Sequence, residues 1–168
     1  MQVVVHEGEP RRSGRSPELC WVRVDGVHGT LRCSAAPQAG KPPVEREVPV
    51  YTGILLNAPH ALAHTREGDR LLFMHAPGMP AALRIDELYL EERPAWIYSA
   101  CDACGADQSL DAPSIMAKTR FPDVREGALP IMFTAFCVCG GTMVLALAEE
   151  MDPEPPARVA KRPWWKLW

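Results

Sequence analysis

A chain of 168 residues with a formal net charge of −3 and 47% hydrophobic content holds one ordinary core, or a small domain with an appended metal module; burying about 68–70% of its unfolded surface leaves no room for a third domain. The charge argues against a dedicated nucleic-acid binder, and no window approaches the roughly 20 apolar residues of a membrane span. Six cysteines, with Glu7 standing where a signal peptide would have its apolar core, point to a cytoplasmic protein with thiolate ligands and buried thiols rather than a disulfide framework.

Taken in order, residues 1–18 read as a flexible arm, because Glu7 to Pro17 is a polar, charged mixture with nothing to bury. From Leu19 the pattern alternates, with Cys20, Val22 and Val24 on one face, up to the turn pair Asp25-Gly26; Val27, Leu31 and Cys33 then return as the second arm of a hairpin. Residues 34–49, rich in proline, read as a surface loop because proline lacks the ladder donor. Strands come next at 50–56 and 70–75. Residues 83–90 admit either a strand or a short helix. Residues 96–100 are a strand, and Asp111 before Pro113 marks a short helix over 112–118. Residues 131–136 and 142–147 flank the last cysteines as a hairpin. The tail, 149–168, alternates acids and prolines and ends in Trp164, Trp165 and Trp168, which no core of its own would bury.

The chemistry concentrates in two cysteine doublets. Cys101-Asp-Ala-Cys104-Gly105 and Cys137-Val-Cys139-Gly140-Gly141 each place two thiolates before a glycine, whose freedom to adopt a left-handed backbone lets peptide N–H groups approach the sulfurs. Four thiolates complete a tetrahedron, so these residues are expected to hold one structural Zn²⁺ in a zinc-ribbon-like module spanning 99–148. A redox Cys-x-x-Cys would sit at a helix N-terminus, whereas Gly105-Ala-Asp-Gln-Ser reads as a turn. A nucleobase deaminase would show His-x-Glu ahead of its cysteines, and none is present. His60 and His64, four apart, are weaker ligand candidates because Pro59 argues for a loop. The acid pairs Asp86-Glu87 and Glu91-Glu92 have no histidine or nucleophile beside them and read as a solvated face.

Residues 19–98 form the remaining β-rich domain. The phrases Trp21-Val-Arg-Val-Asp-Gly26, Tyr51-Thr-Gly-Ile-Leu-Leu-Asn-Ala-Pro59, Glu67-Gly-Asp-Arg-Leu-Leu-Phe73 and Trp96-Ile-Tyr98 fall in an order that resembles the bacterial family called domain of unknown function 2314. The abundance of arginine, alanine and proline accords with a GC-rich bacterial genome. The resemblance implies a small β module and no catalytic residues; related modules encoded beside secreted toxins act as immunity proteins. The proline-rich stretch at 34–49 and the cysteine module depart from that pattern.

The expected fold is therefore mainly β (α+β): a small sheet or barrel-like domain, a zinc-ribbon-like module and one short helix. The expected function is non-enzymatic protein binding, with a cognate toxin as the specific partner. Tyr51, Arg84 and Tyr89 are the candidate contacts on the β domain, and Trp164, Trp165 and Trp168 those on the tail, which also suit a membrane surface. The alternatives are a zinc-ribbon nucleic-acid binder, disfavoured by Asp102, Asp107 and Asp111 around the first doublet, and a metalloenzyme, which would need an open position on the metal.

Overall fold

The computed structural model describes residues 1–76, 79–123 and 130–148. Its strands are β1 (Gln2–Val5), β2 (Glu18–Ala36), β3 (Val44–Leu55), β4 (Arg70–Met74), β5 (Ala82–Ile85), β6 (Trp96–Ser99), β7 (Met132–Phe136) and β8 (Thr142–Leu147). Between them lie the short helices α1 (Pro10–Ser13), α2 (Glu87–Glu92) and α3 (Pro113–Arg120), and a 3₁₀ turn at Arg93–Ala95. The strands make one sheet in the order β1-β5-β4-β3-β2-β6-β8-β7, and a further β1–β2 pairing closes the first five into a small barrel. The fold is mainly β, as expected; α3 is the expected helix, α2 lies where a strand or a short helix was admissible, and α1 is an addition.

Closure depends on β2. This strand runs unbroken for 19 residues, so the hairpin expected at Asp25-Gly26 does not form. Register shifts between Val24 and Gly26 and between Val27 and Gly29 bulge the strand instead, and each extra residue bends it and raises its twist. Its first part pairs with β1, its middle with β3, and its end runs parallel to β6. The bend moves it from one core to another: Cys20 and Val22 face the barrel interior with Val3, Val5, Leu55 and Phe73, whereas Leu31 and Cys33 pack with Val48, Met74, Ile85 and Tyr89. Cys20 and Cys33, expected on facing arms, are thus free buried thiols on one strand and in separate clusters.

Two further expectations are corrected. The segment 1–18 is not a free arm. Val3 and Val5 have no exposed surface, and the short alternation Val3-Val4-Val5 supplies a barrel strand. Behind it, the Glu7 carboxylate accepts the backbone N–H groups of Ala63, His64 and Thr65 at 3.0, 2.5 and 3.0 Å, and Arg12 pairs with Asp111 at 2.6 Å. The charges that suggested solvation find partners far along the chain. His6 is buried and uses both ring nitrogens: Nε2–H donates to the Arg84 carbonyl at 2.8 Å and Nδ1 accepts from the Gly8 N–H at 3.1 Å. That arrangement requires the neutral ring, and burial lowers the His6 pKa.

The expected loop at 34–49 shrinks to residues 37–43, because Ser34–Ala36 belongs to β2 and Val44 opens β3. Pro49 is tolerated in β3 because only β2 pairs with that strand before Val50, where β4 joins; an edge strand needs no donor on its open side. Residues 83–90 hold both admissible structures in succession. β5 ends at Ile85, and the Asp86 side chain caps α2 by accepting the Tyr89 N–H at 2.7 Å.

The step from barrel to ribbon is made by β6, which straddles the boundary expected near residue 98. It pairs parallel with β2 on one side and antiparallel with β8 on the other. Beyond it, Trp96, Tyr98, Met116, Phe133, Met143 and Leu145 form a third core under the β7–β8 hairpin, with the Trp96 and Phe133 rings edge to face at 5.5 Å. No helix among the described residues is long and apolar enough to cross a membrane.

Candidate metal centre

Both doublets sit where a strand stops. β6 delivers the chain to Cys101, where the Cys101 N–H bonds the Ala106 carbonyl at 2.8 Å and the Gly105 N–H bonds the Cys101 carbonyl at 2.9 Å, rolling 101–106 into a tight knuckle. At the tip of β7–β8, Gly140 N–H to Cys137 O at 2.9 Å and Cys137 N–H to Gly141 O at 2.8 Å make the second. Gly105 and Gly140 take φ of 75° and 92°, values that a side chain rarely permits. Gly141 is needed for a different reason: a Cβ there would lie 2.7 Å from the Cys101 sulfur and 2.6 Å from Asp102 Oδ1. A bare backbone lets one knuckle close on the other.

Asp102 locks that approach. Its carboxylate accepts the Thr142 N–H at 2.7 Å and the Thr142 hydroxyl at 2.8 Å, while its own N–H bonds the Thr142 carbonyl at 3.0 Å. The Thr142 donors hold the Asp102 carboxyl below its ordinary pKa of 3.8.

The outcome is a tetrad. The ligand atoms of Cys101, Cys104, Cys137 and Cys139 all lie within 4.8 Å of one another, and they are the only such group of histidine, cysteine and acid ligands among the described residues. Sγ–Sγ distances are 3.6 Å for Cys101–Cys139 and 3.6 Å for Cys104–Cys137, against about 3.8 Å between sulfurs on a tetrahedral ion at 2.3 Å. The donor set therefore fits one metal ion closed by four thiolates. Donors are placed for charged sulfur: the Gly141 N–H points at Cys139 Sγ at 3.4 Å and pulls the Cys139 pKa down to about 7. Burial raises the Cys137 and Cys104 thiols in the opposite sense, so metal uptake displaces protons there. Cys101 is buried, Cys137 half-buried, and Cys104 and Cys139 reach the surface.

The other candidates have structural employment. His60 and His64 lie on an exposed loop, pinned by backbone N–H groups to Glu18 and Glu7 rather than forming a shared helical face. Asp86 is a helix cap, and Glu92 accepts the Ser114 N–H at 2.8 Å. Tyr89 is 1% exposed and donates its hydroxyl to Gln108 at 2.6 Å; burial pushes its pKa up to about 12. It is a core residue, not the exposed side chain expected. Arg84 is half-buried and bonds the His6 carbonyl and the Thr65 hydroxyl at 2.9 and 2.7 Å. Tyr51 is half-buried and stacks on Phe73 at 5.8 Å. Trp164, Trp165 and Trp168 lie outside the described residues. The three aspartates expected to repel phosphate are all engaged: Asp102 with Thr142, Asp107 with Arg46, and Asp111 with Arg12.

Sequence reasoning missed the joint beside the metal centre. Arg93 is fully buried; its guanidinium bonds the carbonyls of Trp96, Ser34 and Asp107 at 2.7, 3.2 and 3.4 Å and Gln108 Oε1 at 3.3 Å. It also covers the Tyr98 ring at 3.8 Å. Tyr98 in turn meets the Ser109 hydroxyl at 3.0 Å. Thus Asp107, Gln108 and Ser109, which come after the first knuckle and read as a turn, are buried mortar between barrel and ribbon, as is Asp111; Asp111, expected to cap α3, binds Arg12 and the Glu9 N–H instead, and Ala112 takes the cap position. Searches with the chain find no matching family model, curated protein or solved structure.

Proposed function

We propose that the chain is a non-enzymatic, zinc-stabilised protein-binding module that acts in the cytoplasm by stoichiometric capture of another protein, a cognate toxin being the specific candidate. The observation that carries this reading is the closed tetrad. Four thiolates leave a metal no open position for water or substrate, which suits a structural ion rather than a catalytic one, and all-sulfur tetrahedral donors suit zinc. Asp86 and Glu92, from the acid pairs weighed as general acid and base, support it further, since their carboxylates accept the Tyr89 and Ser114 N–H groups. The toxin-immunity form of the reading rests on the resemblance of residues 19–98 to the domain of unknown function 2314.

Zinc in this site would be held by Cys101, Cys104, Cys137 and Cys139 and would contribute folding energy, with no chemistry at the ion itself. The exposed side chains of Leu19, Trp21 and Leu56, at 51, 55 and 48%, offer the barrel an apolar surface for contact. They adjoin because β1 and β3 flank that end of β2, where the Leu56 N–H bonds the Trp21 carbonyl at 2.8 Å. A binding protein needs such an aromatic anchor.

The test has two arms. Elemental analysis of protein purified without added metal should give one zinc per chain. Co-expression with the product of the adjacent gene should give a defined complex by size-exclusion chromatography, weakened by Trp21→Ala, and rescue growth if that product is toxic. Turnover of any substrate that disappears on Cys139→Ser would overturn the reading in favour of a metalloenzyme.

A further inference from the structure

The metal centre leaves unused the outer edge of β7. That strand ends the sheet, so its far side has no strand neighbour among the described residues. The Leu147 N–H bonds the Ile131 carbonyl and the Cys137 N–H bonds the Gly141 carbonyl, each at 2.8 Å, so Ile131, Phe133, Ala135 and Cys137 turn their backbones toward β8. Antiparallel pairing alternates along a strand. Met132, Thr134 and Phe136 therefore aim their N–H and C=O groups outward, where no backbone of the described residues bonds them. The side chains of Met132 and Thr134 are exposed as well, so this edge opens to solvent.

One end of the edge is cationic. Along it, α1, α3 and β7 enclose about 180 Å³, with Arg11, Met116, Arg120, Phe133 and Phe136 among the walls. The Phe136 ring carries two cations, the Arg11 guanidinium at 3.8 Å and that of Arg120 at 5.1 Å from its centroid. Both arginines are exposed. Arg11 reaches Glu9 only at 3.9 Å, and no carboxylate of the described residues pairs with Arg120. Asp111, also in the wall, is spent on Arg12 and on the Glu9 N–H at 2.8 Å. Open backbone donors and acceptors select an extended chain, and two arginines lacking close carboxylates select an acidic one.

We propose that the outer edge of β7 takes an extended acidic segment of another protein as an added strand, its backbone on Met132, Thr134 and Phe136 and a carboxylate on Arg11 and Arg120. β7 leads into Cys137, so the added strand lies beside the metal centre. The inference does not rest on the toxin reading, and it uses none of Leu19, Trp21 and Leu56.

Amide hydrogen exchange on the metal-loaded full chain tests it, with the acetylated and amidated peptide Thr-Glu-Val-Glu-Val-Glu-Thr as the probe. A dissociation constant of about 0.1 mM and peptide at about 1 mM should slow exchange at Met132, Thr134 and Phe136 roughly tenfold. Phe133 and Ala135, already bonded to β8, should change little. That alternation is the signature of strand pairing, which charge attraction alone does not produce. Arg11→Glu/Arg120→Glu should abolish the slowing, with unchanged metal content and unchanged exchange in β3 as the folding control. The same peptide with lysine in place of glutamate should leave exchange as it was. Equal exchange with and without the acidic peptide would overturn the proposal, and so would equal slowing by the lysine peptide. Amides of Met132, Thr134 and Phe136 already protected in the peptide-free protein would assign the edge to its own chain or to a second copy and overturn it too.

Discussion

The barrel and the ribbon solve the same problem by different means. The barrel pairs β1 with both β2 and β5, which closes the sheet and leaves its five strands a common apolar interior around Val3, Val5, Val22, Leu55 and Phe73. The ribbon has three strands, one of them at an open edge, and its two knuckles meet through sulfur and one aspartate strut. The ribbon's apolar core around Trp96, Tyr98, Phe133, Met143 and Leu145 stops short of the knuckle tips, where Cys104 and Cys139 reach the surface and a cross-link does the joining. The lesson is that the cysteines stand where apolar packing gives out, while the barrel, packed to its centre, keeps Cys20 as a plain buried thiol.

The largest effect expected from breaking this comparison is loss of the metal. Cys104→Ser or Cys137→Ser should abolish stoichiometric metal, proposed to be zinc, and loosen β7 and β8, since apparent binding energies of about 10–16 kcal/mol for structural zinc are folding energy. Hydrogen exchange should show the barrel strands still protected. A barrel that unfolds together with the ribbon would erase the distinction between the two regions.

Next comes the reverse experiment. Phe73 has no exposed surface and Phe73→Ala should cost about 3–5 kcal/mol by denaturant titration, with zinc retained in the fraction that remains folded. A smaller effect is expected at the joint. Arg93→Met removes the donors shared by Ser34, Trp96, Asp107 and Gln108, and the buried acceptors left behind should cost about 3 kcal/mol. Its signature is loss of cooperativity: metal release and barrel melting, expected to coincide in the wild type, should separate in temperature.

The smallest effect is at the N-terminal clamp. Burial opposes ionisation of Glu7, but the N–H groups of Ala63, His64 and Thr65 and the Thr65 hydroxyl outweigh it and hold the carboxyl below its ordinary value of 4.5. A folded-state pKa below the unfolded one means stability that is fully present above pH 4.5 and lost as pH falls through the folded value. Glu7→Gln should therefore be less stable than wild type at neutral pH, and the difference should shrink as pH is lowered below 4.5. A difference independent of pH would mean that the carboxylate charge contributes nothing.

The sequence by itself determined the tetrad, the ribbon hairpin and the mainly β character. These are local: a doublet before a glycine, a period of two, and a proline just inside a helix all act within a few residues. The burial of Val3, Val5 and Tyr89, the unbroken run of β2 and the polar joint at Arg93 were decided only by the tertiary structure, because each depends on a partner distant in sequence. Asp25-Gly26 illustrates the limit, since the same two residues serve a hairpin turn or a bulge, and pairing with β3 selects the bulge. Arg93 illustrates it further. An arginine after two glutamates reads as solvated, and it is buried because four carbonyl oxygens, brought from 34, 96, 107 and the side chain of 108, converge on it once barrel and ribbon have met.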